Sequence, residues 1–292
     1  MRPYPIVVGA DGTDSSKKAV RWAAHEAQRR GLPLRVTHVF DWEWREARFD
    51  TSHGYLDLAR EQAESITAGA EFEARVVARS LEIEGDPVIG HAGARLLQES
   101  EQAELMVLGS RGRGGFASLL LGSVSQRVAT HARCPVVVVR GRGDATEGPV
   151  AVGVDDSPAA DLVLETAFEA AAARGAALRV IRSYLPVIPL WLENVRAADV
   201  ETPAADAEER ANLDEQLAPW RAKYPEVPVD VVLTHDSAAA ALVEASAQAQ
   251  LVMVGSRGHG VIAGSLLGSA GLQLLQHAEC PVYIVRPVAR KS

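Results

Sequence analysis

The sequence predicts a doubly wound α/β protein written twice, as tandem parallel sheets with helices on both faces. Short apolar runs such as Ile6-Val7-Val8 and Leu105-Met106-Val107-Leu108 alternate with longer stretches of helical period. Those runs lack polar alternation, the mark of strands buried on both faces. The first half of the 292-residue chain also recurs in the second. Val7-Val8-Gly9-Ala10-Asp11 returns as Ala151-Val152-Gly153-Val154-Asp155, offset by 144 residues. Leu105 to Gly112 returns as Leu251 to Gly258, and His131-Ala132-Arg133-Cys134-Pro135-Val136 as His277-Ala278-Glu279-Cys280-Pro281-Val282, both offset by 146. A short insertion therefore separates the first match from the others in the second copy. A repeat this long is a duplicated domain rather than a solenoid. The expected domains are 1–141 and 150–292, joined by the polar, glycine-containing linker 142–149.

Each element follows from local signals. Ile6 to Gly9 reads as a buried strand, and Asp14 to Arg30 as a helix with Ala19, Ala23 and Ala27 on one face and Gly31 as its C-cap. Leu34 to Phe40 is the second strand, followed by a helix carrying Leu56, Ala59, Ala63 and Ile66 on one face. A weaker strand lies around Leu81 to Ile89, and a short helix near Gly93 to Glu101. Leu105 to Leu108 and Pro135 to Val139 are the last two strands. In the second copy, Ser157-Pro158 reads as an N-cap followed by proline at the first helical position.

Composition narrows the function classes. With 47% hydrophobic and 23% charged residues, the chain has ample material for cores. Its net charge of −8 argues against nonspecific nucleic-acid binding. No apolar run approaches the roughly 18 residues of a membrane helix. The start, Met-Arg-Pro-Tyr-Pro and then Ile6, shows no signal-peptide h-region. Two cysteines make neither a disulfide framework nor, alone, a structural zinc site, so a reducing cytoplasm is the expected location.

Doubly wound sheets bind ligands beyond the carboxyl ends of their strands. Asp11 and Asp155 follow the first strand of each half, and glycine-rich segments follow the fourth. The spacing is the same in both: Gly109, Gly112, then Gly122-Ser123; and Gly255, Gly258, then Gly268-Ser269. Glycines let backbone N–H groups approach an anion, and a following helix start adds oriented donors. Ser123 and Ser269 are expected to cap those helices while offering a hydroxyl to phosphate. The carboxylates suit a ribose hydroxyl or an adenine amino group. One such loop would read as a turn; its recurrence in the same strand context favours phosphate binding.

Other residues have simpler readings. Asp11 also fits a helix start, and loop arginines such as Arg111, Arg113 and Arg257 are mostly solvated. His131 and His277 suit helix dipoles, and Cys134 and Cys280 suit small core positions. Trp42, Trp44, Phe49, Tyr55 and Trp191 either cover a base, meet a partner or pack in the core. There is no P-loop, no Gly-x-Gly-x-x-Gly after the first strand, no Gly-x-Ser-x-Gly elbow and no metal-spaced cluster. Nucleotide binding is supported and efficient catalysis is not.

The Asp after the first strand, the doubled glycine segment and the closing His-Ala-x-Cys-Pro-Val strand together resemble the universal stress proteins in their tandem, ATP-binding form. The resemblance spans nearly the whole chain. It implies five-stranded parallel sheets of order 3-2-1-4-5 and dimerisation through the last strand. It implies that Asp11 and Asp155 meet ribose or adenine, and that Val39 and Ser183 bind adenine through their backbones. Gly9 and Gly153 would stand beside them. Gly109, Ser110, Arg111, Gly112, Arg113 and Gly114 would wrap ribose and phosphates, with Gly122, Ser123, Val124 and Ser125 on the terminal phosphates. The counterparts are Gly255, Ser256, Arg257, Gly258, His259, Gly260, Gly268, Ser269 and Ala270. The second copy departs where Gly271 replaces Ser125, His259 replaces Arg113 and Ser183 replaces Val39.

The function so implied is an ATP-binding stress-response regulator, cytoplasmic, with Mg2+ as a possible companion of the phosphates and at most slow hydrolysis. It would partner with itself, as a homodimer or by pairing of its domains, and with neither nucleic acid nor membrane. Two alternatives stay open: an interaction module with vestigial nucleotide sites, or an enzyme acting on an adenylylated or phosphorylated substrate with Asp11, Asp155 or His259 as its base.

Overall fold

The computed structural model describes residues 3–40, 53–112, 120–185, 202–256 and 267–288. It divides into two compact units, Met1–Asp144 with Arg286–Ser292, and Ala145–Val285.

In the first unit, β1 (Ile6–Gly9) is followed by α1 (Asp14–Arg30), β2 (Leu34–Phe40), α2 (His53–Val77), β3 (Ile83–Ile89) and α3 (Ala92–Glu99). Then come a 3-10 turn at Ser100–Gln102, β4 (Leu105–Gly109), α4 (Ser123–His131) and β5 (Val136–Val139). The strands run parallel in the order β3-β2-β1-β4-β5. The chain winds outward from β1 to β3 and then crosses back to β4, so β1 and β4 form the switch point. Ile6, Val7, Val8, Leu105, Met106 and Val107 are all fully buried there, because helices cover both faces. β3 contains Pro87, which an outermost strand tolerates since it need not donate on both sides.

Helix α1 shows how local chemistry sets an element. Thr13 is its N-cap, its hydroxyl accepting from the Ser16 N–H at 3.2 Å. Gly31 ends it in the left-handed conformation, φ 62°, which glycine adopts without strain. Asp14 at one end and Arg29 and Arg30 at the other match the helix dipole. The face of Ala19, Ala23, Ala24 and Ala27 is fully buried, letting the helix sit close to the sheet.

The second unit repeats the pattern: β6 (Val150–Gly153), α5 (Ala160–Ala172), β7 (Leu178–Ser183), α6 (Pro203–Lys223) and β8 (Val229–Thr234). α7 (Ala238–Ser246), β9 (Leu251–Gly255), α8 (Ser269–His277) and β10 (Val282–Val285) complete it. Its strands are parallel in the order β8-β7-β6-β9-β10. Both units thus have the 3-2-1-4-5 order.

One start signal fails. Ser157-Pro158 does not open α5, which begins at Ala160 after an N-cap at Ala159 that has no side-chain capping bond. Asp155 accepts the Ser157 N–H at 3.1 Å, drawing 155–157 into an Asx turn that delays the helix. Cys134 and Cys280 are buried and not joined in a disulfide, as small core residues are, and burial pushes the Cys134 thiol up to about 12. His131 and His277 occupy the last turns of α4 and α8.

Candidate functional site

A cavity of about 660 Å³ opens at the carboxyl ends of β1, β2 and β4. Gly9, Asp11, Val39, Gly109, Arg111, Gly112 and the run Gly122, Ser123, Val124 and Ser125 all line it. Four separate stretches of sequence are therefore brought to one cleft at the switch point.

The glycine segment is closed by its own backbone. The Ser110 N–H bonds the Val139 carbonyl at 3.0 Å, and the Gly122 N–H returns to the Ser110 carbonyl at 2.8 Å. The Arg111 N–H donates to Ser15 Oγ at 3.2 Å, tying the loop to the first turn of α1. Gly109 is required by that approach, because a Cβ there would stand 2.7 Å from the Ser15 carbonyl oxygen.

The cap of α4 differs from expectation. Gly122 is the N-cap, Ser123 is already helical, and among the described residues no side-chain capping bond is made. The first-turn N–H groups lack intrahelical acceptors, as at any helix start, and they adjoin the cavity. The same correction holds for Ser269, which follows the N-cap Gly268. A glycine keeps these donors uncovered, which a capping serine would not. Ser125 is also more structural than expected: its buried hydroxyl donates to the Gly109 carbonyl at 2.6 Å, bracing α4 against the end of β4.

Asp11 accepts from the Thr13 N–H at 3.0 Å and the Thr13 hydroxyl at 2.6 Å through Oδ1. Its Oδ2 faces Gly112, 2.8 Å from where a Cβ would lie. Asp11 thus shapes the helix entry with Oδ1 and turns Oδ2 toward Gly112 of the glycine segment.

The opposite end of the cavity was not legible as a site. Thr37, His38 and Phe40 of β2, Ala63 of α2, and Leu96 of α3 line it. His38 is buried, with Nδ1 2.6 Å from the Ala10 carbonyl. In sequence these residues look like ordinary core positions.

The second unit repeats the backbone closure of the glycine segment. Ser256 N–H bonds the Val285 carbonyl at 2.8 Å, and Gly268 N–H bonds Ser256 at 3.1 Å. Asp155 forms its Asx turn, Gly153 ends β6, Gly255 ends β9, and Ser269 and Ala270 open α8. The other end diverges. Gly9 faces Thr37 across the sheet and Gly153 faces Ile181, so Arg182 stands where His38 stands. Arg182 is buried and pairs with Asp156 at 2.5 Å, Glu209 at 3.3 Å and Gln216 at 2.9 Å. Beside it, Tyr184 donates to Asp206, which also lies 2.9 Å from His235 Nε2. The Tyr184 hydrogen bond, with help from His235, holds the Asp206 carboxyl below its ordinary range. Ser183, expected against adenine, turns its hydroxyl to the Asp236 carbonyl at 2.6 Å. The run Leu178–Ser183 carries two arginines, Arg179 and Arg182, and of these Arg182 is the buried one at the centre of this cluster.

Arg113, Gly114, Arg257, Gly258, His259 and Gly260 lie outside the described residues, as do Trp42, Trp44, Phe49 and Trp191. The side chain of Tyr55 does too. Among the described residues, no helix is long and apolar enough to cross a membrane.

Two doubly wound α/β units in tandem, each with a glycine at the start of the helix that follows its fourth strand, define the class of fold. The universal stress protein family profile matches residues 4–140 and 148–286. Universal stress protein Rv2005c of Mycobacterium tuberculosis is 35% identical over 295 residues, covering 98% of this chain and 98% of its own. A universal stress protein of Mycolicibacterium smegmatis is 34% identical over 301 residues, covering 97% of both. The crystal structure of a universal stress protein from Archaeoglobus fulgidus superposes with a TM-score of 0.70 at 21% identity, over 96% of this chain and 97% of that one. The chain belongs to the universal stress protein family.

Proposed function

We propose that this protein binds adenine nucleotides, ATP foremost, in the cleft of each unit and more tightly in the first. The bound nucleotide biases conformation or partner choice in a stress response. One observation carries the reading: the glycines, serines and aspartate of the first motif line a single cavity of about 660 Å³. That volume falls within the roughly 300–1,000 Å³ of small-molecule sites.

The arrangement supplies backbone donors to phosphates at the start of α4, a carboxylate for ribose at Asp11, and an apolar recess for a base. Of the described carboxylates that line it, Asp11 has its Oδ1 engaged by Thr13, which makes it a poor base and favours slow hydrolysis. Any Mg2+ is carried on the phosphates, because no cluster of three or more His, Cys, Asp and Glu among the described residues could hold a metal ion. The protein acts in the cytoplasm, associating through a terminal strand of the sheet, between chains or within one.

The test is to denature the purified protein, release its small molecules, and identify and count them per chain by chromatography and mass spectrometry. Adenine nucleotide at one to two per chain is expected; none, followed by no binding of added ATP, overturns the reading.

A further inference from the structure

Thr37 sits in the middle of β2, 1% exposed, on the floor of the first cavity. Its Oγ1 is buried and has no hydrogen-bond partner among the described residues. A buried hydroxyl without a partner destabilises the fold that contains it, so such atoms are rare outside functional places. The duplication offers an internal comparison. Thr37 pairs with Gly9 in the sheet register, and at the matching register in the second unit Ile181 pairs with Gly153. Ile181 is equally buried, and leucines crowd the paired glycine in both units, Leu108 and Leu96 at Gly9 and Leu242 at Gly153. The fold therefore accepts an aliphatic side chain at this position, and the hydroxyl at Thr37 answers to something other than packing.

The position of the residue indicates which part of a ligand it meets. Asp11 and the glycine segment hold the polar end of the cleft. Thr37 lines the cavity together with Leu96, Leu108, Ala63 and Ala92, an apolar lining that suits a flat ring better than a charged phosphate. In β2 it shares a face with Val39 and is two residues deeper, about 6.6 Å along the strand. A threonine hydroxyl rotates to donate or accept, so it can serve a ring nitrogen or an exocyclic amine.

We propose that Thr37 Oγ1 hydrogen-bonds the edge of the bound purine and is a specificity-determining residue of the first site. This rests on the nucleotide reading above. It makes the orphaned hydroxyl a cost carried by the empty protein and recovered on binding.

The experiment compares wild type, Thr37→Val, Thr37→Ser and Thr37→Ile in the full chain. ATP affinity is measured by calorimetry and thermal stability without nucleotide by differential scanning fluorimetry. Thr37→Val, and Thr37→Ile in imitation of Ile181, are expected to weaken ATP binding at the first site about tenfold, the usual effect of one neutral hydrogen bond. Both should melt no lower than wild type without nucleotide. Thr37→Ser should bind within about threefold of wild type. If Thr37→Val binds ATP as wild type does, the proposal fails while the nucleotide site stands. If Thr37→Val and Thr37→Ile lose stability along with affinity, the hydroxyl is structural and the proposal fails. If wild type binds no adenine nucleotide, the functional reading falls and takes this inference with it.

Discussion

Gly122 allows fold and binding to be separated. It caps α4 with φ −73° and ψ 146°, a conformation open to any residue. A Cβ there would lie 3.5 Å from the Ser110 carbonyl oxygen, 3.6 Å from Arg111 Cα and 3.7 Å from Gly112 N, all ordinary contacts. Alanine therefore adds a methyl without strain. Losing a glycine cap costs up to about 1 kcal/mol, and the reduced freedom of the unfolded chain returns about 0.4–1 kcal/mol. The melting temperature should move by no more than about 3 °C. Binding should respond far more, because the methyl stands on the wall where the first-turn N–H groups of α4 meet a phosphate. One charge-assisted hydrogen bond lost is worth about 1.5–3 kcal/mol, or about 10- to 150-fold in Kd. Gly109→Ala is the contrasting variant. Its Cβ would press on the Ser15 backbone at 2.7 and 2.8 Å, so it should unfold more easily by about 1–3 kcal/mol with or without nucleotide. ATP calorimetry with parallel melting scans reads both. A Gly122→Ala protein that binds ATP within twofold of wild type would refute the assignment of α4 as the phosphate-binding element.

Three further outcomes follow from the described contacts. Replacing Arg182 by Met leaves Glu209 and Gln216 without their cation; since Asp156 is 72% exposed, the loss should be about 2 kcal/mol, read as a fall in Tm of about 5 °C. Neither cysteine should react with an aromatic disulfide reagent in the native protein at neutral pH, and both should react in denaturant, because each is buried and the Cys134 thiol is pushed to about 12. Stability should fall in acid: Asp206 is held low by Tyr184 and His235, and Asp214 by Arg221 and Arg210 acting against burial. Depressed carboxyls bind fewer protons folded than unfolded, so their contribution is full above the ordinary value near 3.9 and lost as pH falls through the folded values, which pH-dependent melting curves would show.

The sequence revealed the two halves of the cleft unequally, for physical reasons. Backbone approach to an anion needs glycine at fixed points, so Gly109, Gly112 and Gly122 stand out in the sequence and reappear together on the cavity wall. A recess for an apolar ring needs only ordinary core residues drawn from several elements. Thr37, Ala63 and Leu96 therefore carry no local mark, and only the sheet register and helix packing assemble them. Caps were partly legible. Gly31 behaves as its neighbours imply, but Ser123 and Ser157 lost the capping role to Gly122 and Ala159. At 157 the cause is tertiary in effect though local in origin, since Asp155 claims the Ser157 N–H before the helix can.

The two units share the backbone bonds that close the glycine segment and differ at the positions that match Thr37, His38 and Val39, and that asymmetry should be measurable. Both units close the glycine segment with the same pair of backbone bonds, so a phosphate meets similar donors in each. At the far end, the first unit offers Val39, Phe40 and Ala63, whereas the second offers Arg182 held by Asp156, Glu209 and Gln216, with Tyr184 and His235 on Asp206. A purine entering the second recess must displace or loosen at least one charge-assisted bond, at about 1.5–3 kcal/mol, which sets the affinities about 10- to 150-fold apart. Calorimetric titration of the wild type with ATP should resolve two classes of site, and Gly122→Ala should weaken the tighter class toward the affinity of the weaker one while leaving the latter unchanged. Two equivalent sites, or loss of the weaker class in that variant, would mean that the ionic cluster does not govern access to the second cleft.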